Sequence, residues 1–580
     1  MLFHLLFMSL VSQGLSVESY GKDFITAFPE NIANYHPQES SNTLQITAFY
    51  GDTTVSITVN RTNVYNEKLQ SGQTKVVHFP KYVEQYQFTR SFYSVRINSN
   101  KLIVVLWISQ RGDSVQSYFV QPVKNLGKLY SIPFINYNQM LASLYNRAAL
   151  IALDNWRCII INAGNIMNAI SIQTVSMNAQ QAFNFTLSPY ELYQFQTNGS
   201  EIKVYSSNTV AVLLTHPCVE TSSCVCNMVT NHVLPENLWG QTFVVPSVKN
   251  LNSTWLKVTS TTNLMLRGQN IKILASNSGL ISFPYLESGP QLITASNYVS
   301  IRLISPGLIL ELMPESMFAA CYLLQMNSTA AEALIIAETA SRGDVYVDAG
   351  LLSSTDWKTV ANSNYSSVSV SLRGTHIIWH PASRIGVYMF ERMESGIPYG
   401  GPAVILNEDP DRDGCMADPA LYKTTTDVMT WPESHDYCLN ATLQLSIASS
   451  ARAQREMTSF LLKDGGPRYF WIGLRRSLLT LQWYWKNGND GEYSVNYTKW
   501  ADGHRETPWK SLCASVSQDA NKDFSWKSVP CCSKMRPVCY KKALYFSDLT
   551  FDSLDNHFYI VNQKVCPLYP CNLFLFEFND

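Results

Sequence analysis

Between Ser19 and Asn407 apolar residues recur at every second position in short runs, and this alternation restricts the possible folds more than any other feature. LQITAFY (44–50), TTVSITV (53–59), NKLIVVLW (100–107), IKVYSS (202–207), TFVVPSV (242–248) and SSVSVSL (366–372) are examples. A strand sends successive side chains to opposite faces, so each run reads as a half-buried strand. The Asn, Gly, Ser and Pro clusters between runs read as turns. Long amphipathic helices are hard to find here. The fold class expected is mostly β.

The region also repeats. VRINSNKLIVVLW (95–107), IKVYSSNTVAVLL (202–214) and LITASNYVSIRLI (292–304) align without gaps, each an apolar strand, a Ser/Asn turn and a second alternating strand. HPASRIGVYMF (380–390) is a looser fourth copy. Upstream of the first three lie GKDFITAF (21–28), GKLYSIPF (127–134) and GQTFVVPS (240–247). A period on the order of 100 residues suits tandem β-sandwich-like units better than propeller blades.

A leader-like run, the cysteines and the glycosylation sequons all bear on the compartment. Leu2–Val11 is an apolar run followed by Ser12-Gln13-Gly14, which predicts a signal peptide over 1–16, although only His4 stands where Lys or Arg is usual. No stretch reaches the roughly 20 apolar residues of a membrane span. Sequons at Asn60, Asn184, Asn198, Asn252, Asn327, Asn364, Asn440 and Asn496 predict a glycosylated surface. An oxidising compartment would bridge most of the 13 cysteines, and the odd count leaves one thiol free or paired between chains. A formal net charge of −1 gives no general field for nucleic acid or acidic membranes, so neither is an expected partner. The protein is expected to be secreted and extracellular.

The Ser-turn followed by V-x-V, LPENLWGQTFVVPSV (234–248) and SRIGVYMFERMESGIPYGGPA (383–403) resemble the N-terminal domain of the IgG Fc-binding protein family of mucus. The resemblance covers most of 19–407 and implies a secreted, mucus-associated β-rich module. No short motif encodes antibody binding, so no residue is carried over for it. The cysteine-dense repeats that follow this module in the family do not follow it here, which argues against a gel-forming role.

After an acidic linker (408–419) the pattern changes. MTWPESHDYC (429–438) starts a helix: Thr430 caps it, Pro432 is tolerated in its first turn and Glu433 completes a capping box. ARAQREMTSFLL (451–462) is a second helix with Met457, Leu461 and Leu462 on one stripe. Strand-like FWIGLRRS (470–477), LQWYW (481–485) and YTKW (497–500) follow, then CASVS (513–517) and CCSKMRPVCY (531–540).

The Tyr437-Cys438 helix, Trp471-Ile472-Gly473-Leu474, Trp483, Trp485, the Tyr497–Trp500 segment and the spaced cysteines closely resemble the C-type lectin-like fold over 420–541. The resemblance implies a small α+β domain with bridges Cys438–Cys539 and Cys513–Cys531. Cys531 is preferred over Cys532 because its spacing from Cys539 follows the family pattern; spacing alone does not establish connectivity. Each bridge would add about 2–4 kcal/mol. The tail, 542–580, has no readable structure; Cys566 and Cys571 could bridge each other or, with Cys532, link chains.

Sugar-binding relatives hold Ca²⁺ with a Glu-Pro-Asn or Gln-Pro-Asp loop and a Trp-Asn-Asp strand. Calcium needs six to eight oxygen ligands. Here the loop reads Gly503-His504-Arg505-Glu506-Thr507-Pro508 and the strand Trp526-Lys527-Ser528, with an ammonium where a ligand oxygen belongs. Neither a cofactor nor a Ca²⁺-held sugar is expected, and recognition of a protein or another surface by the same loops is.

Other signals read as structure. Asp409-Pro410-Asp411-Arg412-Asp413-Gly414 begins like a calcium loop, but position twelve is Ala420 rather than Glu. Arg111-Gly112-Asp113 and Arg342-Gly343-Asp344 fit turns between strands better than adhesion tripeptides. His376 and His380 sit on a strand, where four residues span about 13 Å, too far to share zinc. Cys224-Val225-Cys226, with Cys218, reads as a disulfide cluster. No H-E-x-x-H, G-x-S-x-G or phosphate loop is present, and no enzyme is expected. Two expectations remain: an extracellular binding protein, or a disulfide-linked structural component of mucus or matrix.

Overall fold

The computed structural model describes residues 18–33, 38–132, 156–174, 182–197, 559–560 and, with gaps of one to six residues, 201–546. It divides into two compact units, one built from the chain up to Cys415 together with Phe546 onward, the other from Met416–Tyr545. The predicted signal peptide lies outside the described residues.

Four repeats build the first unit, and in the first three one long strand runs through the sheet and pairs with different strands along its two parts. In the first repeat that strand is Val95–Arg111. Its first part pairs with Gly21–Thr26 and Thr53–Val59, its last part with Ser41–Ala48 and Ser114–Phe119. Inward residues of both parts, among them Leu44, Ile46, Ile57, Ile97, Val105 and Trp107, close over a single core. Ile202–Ser222 does the same work in the second repeat and Gln291–Ser305 in the third. In the fourth the strand is broken into Gly374–Trp379 and Gly386–Arg392, and its two sheets are separate.

Strand pairing shifts one expected alignment. Thr26 faces Val95, Ile132 faces Ile202, and Val245 faces Gln291. The third copy therefore spans 291–303, one residue earlier than the gapless sequence alignment places it. In this register Ile293, Val299, Ile301 and Leu303 are buried like Ile97, Ile103, Val105 and Trp107. A slip of one residue would turn every one of these side chains to the opposite face.

Proline-led turns join the repeats. Pro122, Pro235 and Pro314 each precede a single 3-10 turn: Val123–Asn125, Glu236–Leu238 and Glu315–Met317. The proline of each linker lies against the glycine that opened the repeat before it. A Cβ added at Gly21, Gly127 or Gly240 would stand 2.6, 2.4 or 2.2 Å from the Cβ of Pro122, Pro235 or Pro314. Only glycine permits that approach.

The last strands of the repeats, Ser114–Phe119, Val225–His232, Leu308–Glu311 and Pro398–Pro402, pack in cyclic order, the fourth against the first. Ser19 N–H donates to Ile405 O at 3.0 Å, and Met313 N–H donates to the Tyr388 hydroxyl at 2.9 Å. Gln325 of the fourth repeat reaches the hydroxyls of Thr47 and Thr74 in the first. The tandem units thus form a closed ring.

Glu408 and Asp409 of the expected acidic linker both pair with Arg384, at 2.6 and 3.0 Å, and Cys415 is disulfide-bonded to Cys321. The linker is therefore pinned at both ends of its first half. Part of the tail is structured: Leu544–Tyr545 pairs with Met416–Asp418, Phe546 stacks edge-on against Phe49 at 4.7 Å, and Tyr559–Ile560 lies parallel to Thr74–Phe79.

In the second unit, helices α1 (Trp431–Asn440) and α2 (Ala451–Lys463) flank two small sheets. One sheet joins Leu421–Lys423, Cys539–Lys541 and Gln444–Leu445; the other is centred on Tyr469–Arg476. Gln454, Met457, Thr458 and Leu461 form the buried stripe of α2. Leu462, expected on that stripe, is 60 % exposed. It follows Leu461 by one residue, about 100° around the helix, which turns it off the core face.

Candidate functional site

Local chemistry fixes the frame of the second unit. Thr430 accepts from Glu433 N–H while the Glu433 carboxylate accepts from Thr430 N–H at 2.8 Å, so both halves of the capping box form. Those bonds hold the exposed Glu433 carboxyl below its usual range. Two buried indoles then lock α1 to the central strand reciprocally: Trp431 Nε1 donates to Ile472 O and Trp471 Nε1 to Met429 O, each at 2.9 Å. A Cβ at Gly473 would stand 2.9 Å from Leu445 O, so the two sheets meet where glycine allows it. Disulfides join Cys438 to Cys539 and Cys513 to Cys531.

The segment that carries the sugar site in sugar-binding relatives stands on an aromatic cluster. Trp483 packs on Trp500 at 4.6 Å, while Trp485 and Tyr497 meet Trp526 edge-on at 5.3 and 5.9 Å. Trp526 Nε1 donates to Gln454 Oε1 at 2.9 Å, tying this cluster to α2. Backbone bonds from Trp526 N–H to Lys499 O and from Ala501 N–H to Trp526 O fasten the incoming loop. Gly503, at φ +73°, and His504 end the described part of that loop; Arg505–Pro508 lie outside the described residues.

Lys527 Nζ donates to the Tyr469 hydroxyl at 3.0 Å and stands 5.0 Å from that ring. Ser528 is buried. Among the described residues no group of three or more His, Cys, Asp or Glu side chains could hold a metal ion. Among the described residues the most exposed large apolar side chains are Leu478 and Leu479, 71 and 95 % exposed, on the turn between Tyr469–Arg476 and Trp483–Asn487.

The remaining sequence-derived candidates do not converge. His376 pairs with Asp348 at 2.8 Å, which raises its pKa, whereas His380 bonds Ser341 O and the Ala382 and Ser383 amides. Gly112 and Asp113 form the turn after Val95–Arg111, and Arg342–Asp344 is a 3-10 turn in the connection between Ala331–Glu338 and Tyr346–Val347. Cys218 is bonded to Cys226, with Cys224 outside the described residues. Cys158 is a buried free thiol and Cys532 an exposed one; Cys566 and Cys571 lie outside the described residues. Asn184, Asn364, Asn440 and Asn496 are exposed and Asn60 is half-buried, while Asn198, Asn252 and Asn327 lie outside the described residues.

Ring closure creates one feature that no local pattern signals. A cavity of about 80 Å³ draws its wall from all four repeats, including Tyr118, His232, Glu311, Met313 and Met389. His232 is buried with neither ring nitrogen hydrogen-bonded, and burial lowers its pKa to about 4. The Glu311 carboxylate is held by Arg302 at 2.6 Å.

The locked helix, the paired small sheets and the two bridges define the second unit as a C-type lectin-like domain. In agreement, residues 427–541 match the family model described as Lectin C-type domain, and residues 116–390 match the model described as IgGFc binding protein. The chain therefore carries an IgGFc-binding-protein region followed by a C-type lectin domain. Human IgGFc-binding protein is 22 % identical over 381 residues, which is 62 % of this chain and 7 % of that protein. Bovine E-selectin is 26 % identical over 125 residues, 21 % of this chain and 24 % of that protein. The chain thus spans less than a quarter of the length of either relative. Among solved structures, human lithostathine is 26 % identical (21 % of this chain, 83 % of that one, TM-score 0.19). The mouse scavenger receptor C-type lectin carbohydrate-recognition domain is 20 % identical (21 % and 88 %, TM-score 0.18). The IgGFc-binding match begins inside the last strand of the first repeat, whose strand topology nonetheless equals that of the second and third repeats.

Proposed function

We propose that this is a secreted extracellular recognition protein whose lectin-like domain binds a protein or glycoconjugate ligand without a calcium-held sugar. The observation that carries the reading is Lys527, which puts a cation where sugar-binding relatives place a ligand oxygen and already spends it on Tyr469. A positive charge at that point repels Ca²⁺ and supplies no lone pair for it. Four disulfides support an oxidising compartment, and no helix among the described residues is long and apolar enough to cross a membrane. Both matching families are binding domains, which supports a non-enzymatic role. The name of the human relative makes immunoglobulin Fc the first protein ligand to test.

The test is binding of the purified, glycosylated chain to a mixed glycan and glycoprotein array, with Ca²⁺ and with chelator. Binding to proteins or glycoproteins that chelator leaves unchanged is expected. Chelator-sensitive binding to free glycans would make this a calcium-dependent lectin and overturn the reading. The exposed thiol of Cys532 favours a second reading, a disulfide-linked component of mucus or matrix. A reducible oligomer on non-reducing electrophoresis would support it, and a monomer would remove covalent assembly.

A further inference from the structure

A second cleft, of about 440 Å³, opens between the first and second repeats, within the size range of ligand pockets. Arg61, Phe92, Ser94, Arg96, Pro189 and Tyr190 line it. The Arg61 guanidinium lies 3.6 Å from the centroid of the Phe92 ring, and that of Arg96 lies 4.2 Å from the Tyr190 ring. Stacking on a ring holds each planar fork in place, so little ordering remains when a bidentate anion arrives. Arg96 gives Nε to Asp23 at 3.4 Å, and Asp23 is shared with Asn98 at 2.7 Å. Arg61 is exposed, and among the described residues no carboxylate pairs with it.

The backbone around the cleft is strained where it presents these groups. Asn60 and Arg61, at φ +48° and +62°, form the two-residue turn between Thr53–Val59 and Thr62–Leu69. Such turns favour Asn-Gly, because glycine alone takes the second left-handed position without a steric cost. An arginine stands there instead. Tyr190, at φ +59°, is a second left-handed residue in the same wall. Both turns are fastened to one segment: Asn60 N–H donates to Phe92 O at 2.9 Å, and Ser94 Oγ to Tyr190 O at 2.6 Å. Arg61 and Tyr190 thus both hold left-handed conformations that such side chains rarely adopt, in the wall of one cleft.

We infer that this cleft binds an acidic sugar unit, held through its carboxylate or sulfate by Arg61 and Arg96. Guanidinium forks match the paired oxygens of either group. Phe92, Pro189 and Tyr190 give the wall apolar surface beside the two guanidinium groups, as the C–H side of a pyranose ring requires, and Thr58 adds a polar side chain to it. The site is in the β unit and owes nothing to the lectin-like domain or to calcium.

Intact glycosylated protein, desialylated beforehand so that its own glycans do not compete, is titrated calorimetrically in chelator. The probes are 3′-sialyllactose, a 6-sulfated N-acetyllactosamine, lactose and a tetra-glutamate peptide. At least one acidic sugar is expected to bind tenfold or more tightly than lactose and the peptide; the sialyl and sulfated arms tell carboxylate from sulfate. Arg61→Asn, whose new residue accepts the left-handed turn more readily than arginine, is expected to weaken binding at least tenfold with no fall in melting temperature. Equal or absent binding of acidic and neutral sugars, preference for the peptide, or wild-type affinity in Arg61→Asn would each overturn the inference.

Discussion

Substituting Gly240 by alanine tests whether the glycine–proline junctions hold the ring together. The new Cβ would lie 2.2 Å from Pro314 Cβ and 2.9 Å from Pro314 Cγ, whereas carbon atoms pack comfortably at about 3.5–4.0 Å. More than an ångström of separation must therefore open, and both partners are stiff: a strand on one side, a pyrrolidine ring on the other. Overpacking of this kind costs about 1–3 kcal/mol. Alanine returns about 0.4–1 kcal/mol by restricting the unfolded chain, so a net loss of about 1–2 kcal/mol is expected. Urea unfolding of the full chain measures it, with Gly343→Ala as control, since a Cβ there meets nothing within 4 Å. Pro314→Gly removes the atom that clashes, so the double variant should be more stable than the sum of the singles implies. A Gly240→Ala chain as stable as Gly343→Ala, or strict additivity with Pro314→Gly, would refute the argument.

Acid should loosen the β unit, because burial lowers the pKa of His216 to about 3 and of His232 to about 4, with Arg157 adding to the effect at His216. Below pH 6.5 the unfolded chain binds the extra protons, so stability falls as pH drops towards those folded values; going from pH 7 to 5 should cost about 2 kcal/mol per histidine, and His232→Gln should remove roughly half of the slope in denaturation curves. Gln454→Ala leaves the buried Trp526 indole without an acceptor and should cost about 1–3 kcal/mol by urea unfolding, with no loss if water replaces the amide. Thr430→Ala removes one half of the capping box and should cost about 1 kcal/mol by the same measurement. Cys532→Ser should abolish any reducible dimer that forms through that exposed thiol, and a dimer that persists would place the link elsewhere.

Much of this protein is legible in short windows of sequence, because the forces that write it there are local. Alternation over TTVSITV predicts the strand Thr53–Val59 residue for residue, since side-chain direction in a strand is set by its own backbone. Thr430 and Glu433 predict their helix end because both halves of a capping box lie within one turn. Lys527 was readable against the family pattern without any coordinates. What the tertiary structure decided involves residues far apart, or choices to which local sequence is indifferent. A gapless match of the third repeat at 292–304 would set Thr294, Ser300 and Arg302 where Ile97, Ile103 and Val105 stand, and the pairing of Val245 with Gln291 sets Ile293, Val299 and Ile301 there instead. Leu461 and Leu462 have the same hydropathy, and only the position of the core says which is inside. Cys321 meets Cys415 across a separation of 94 residues, Ser19 meets Ile405, and Arg61 meets Tyr190 across one cleft. No propensity acts over such distances; closing the ring buries apolar edges that a linear array of repeats would leave in water, and that long-range burial sets those contacts.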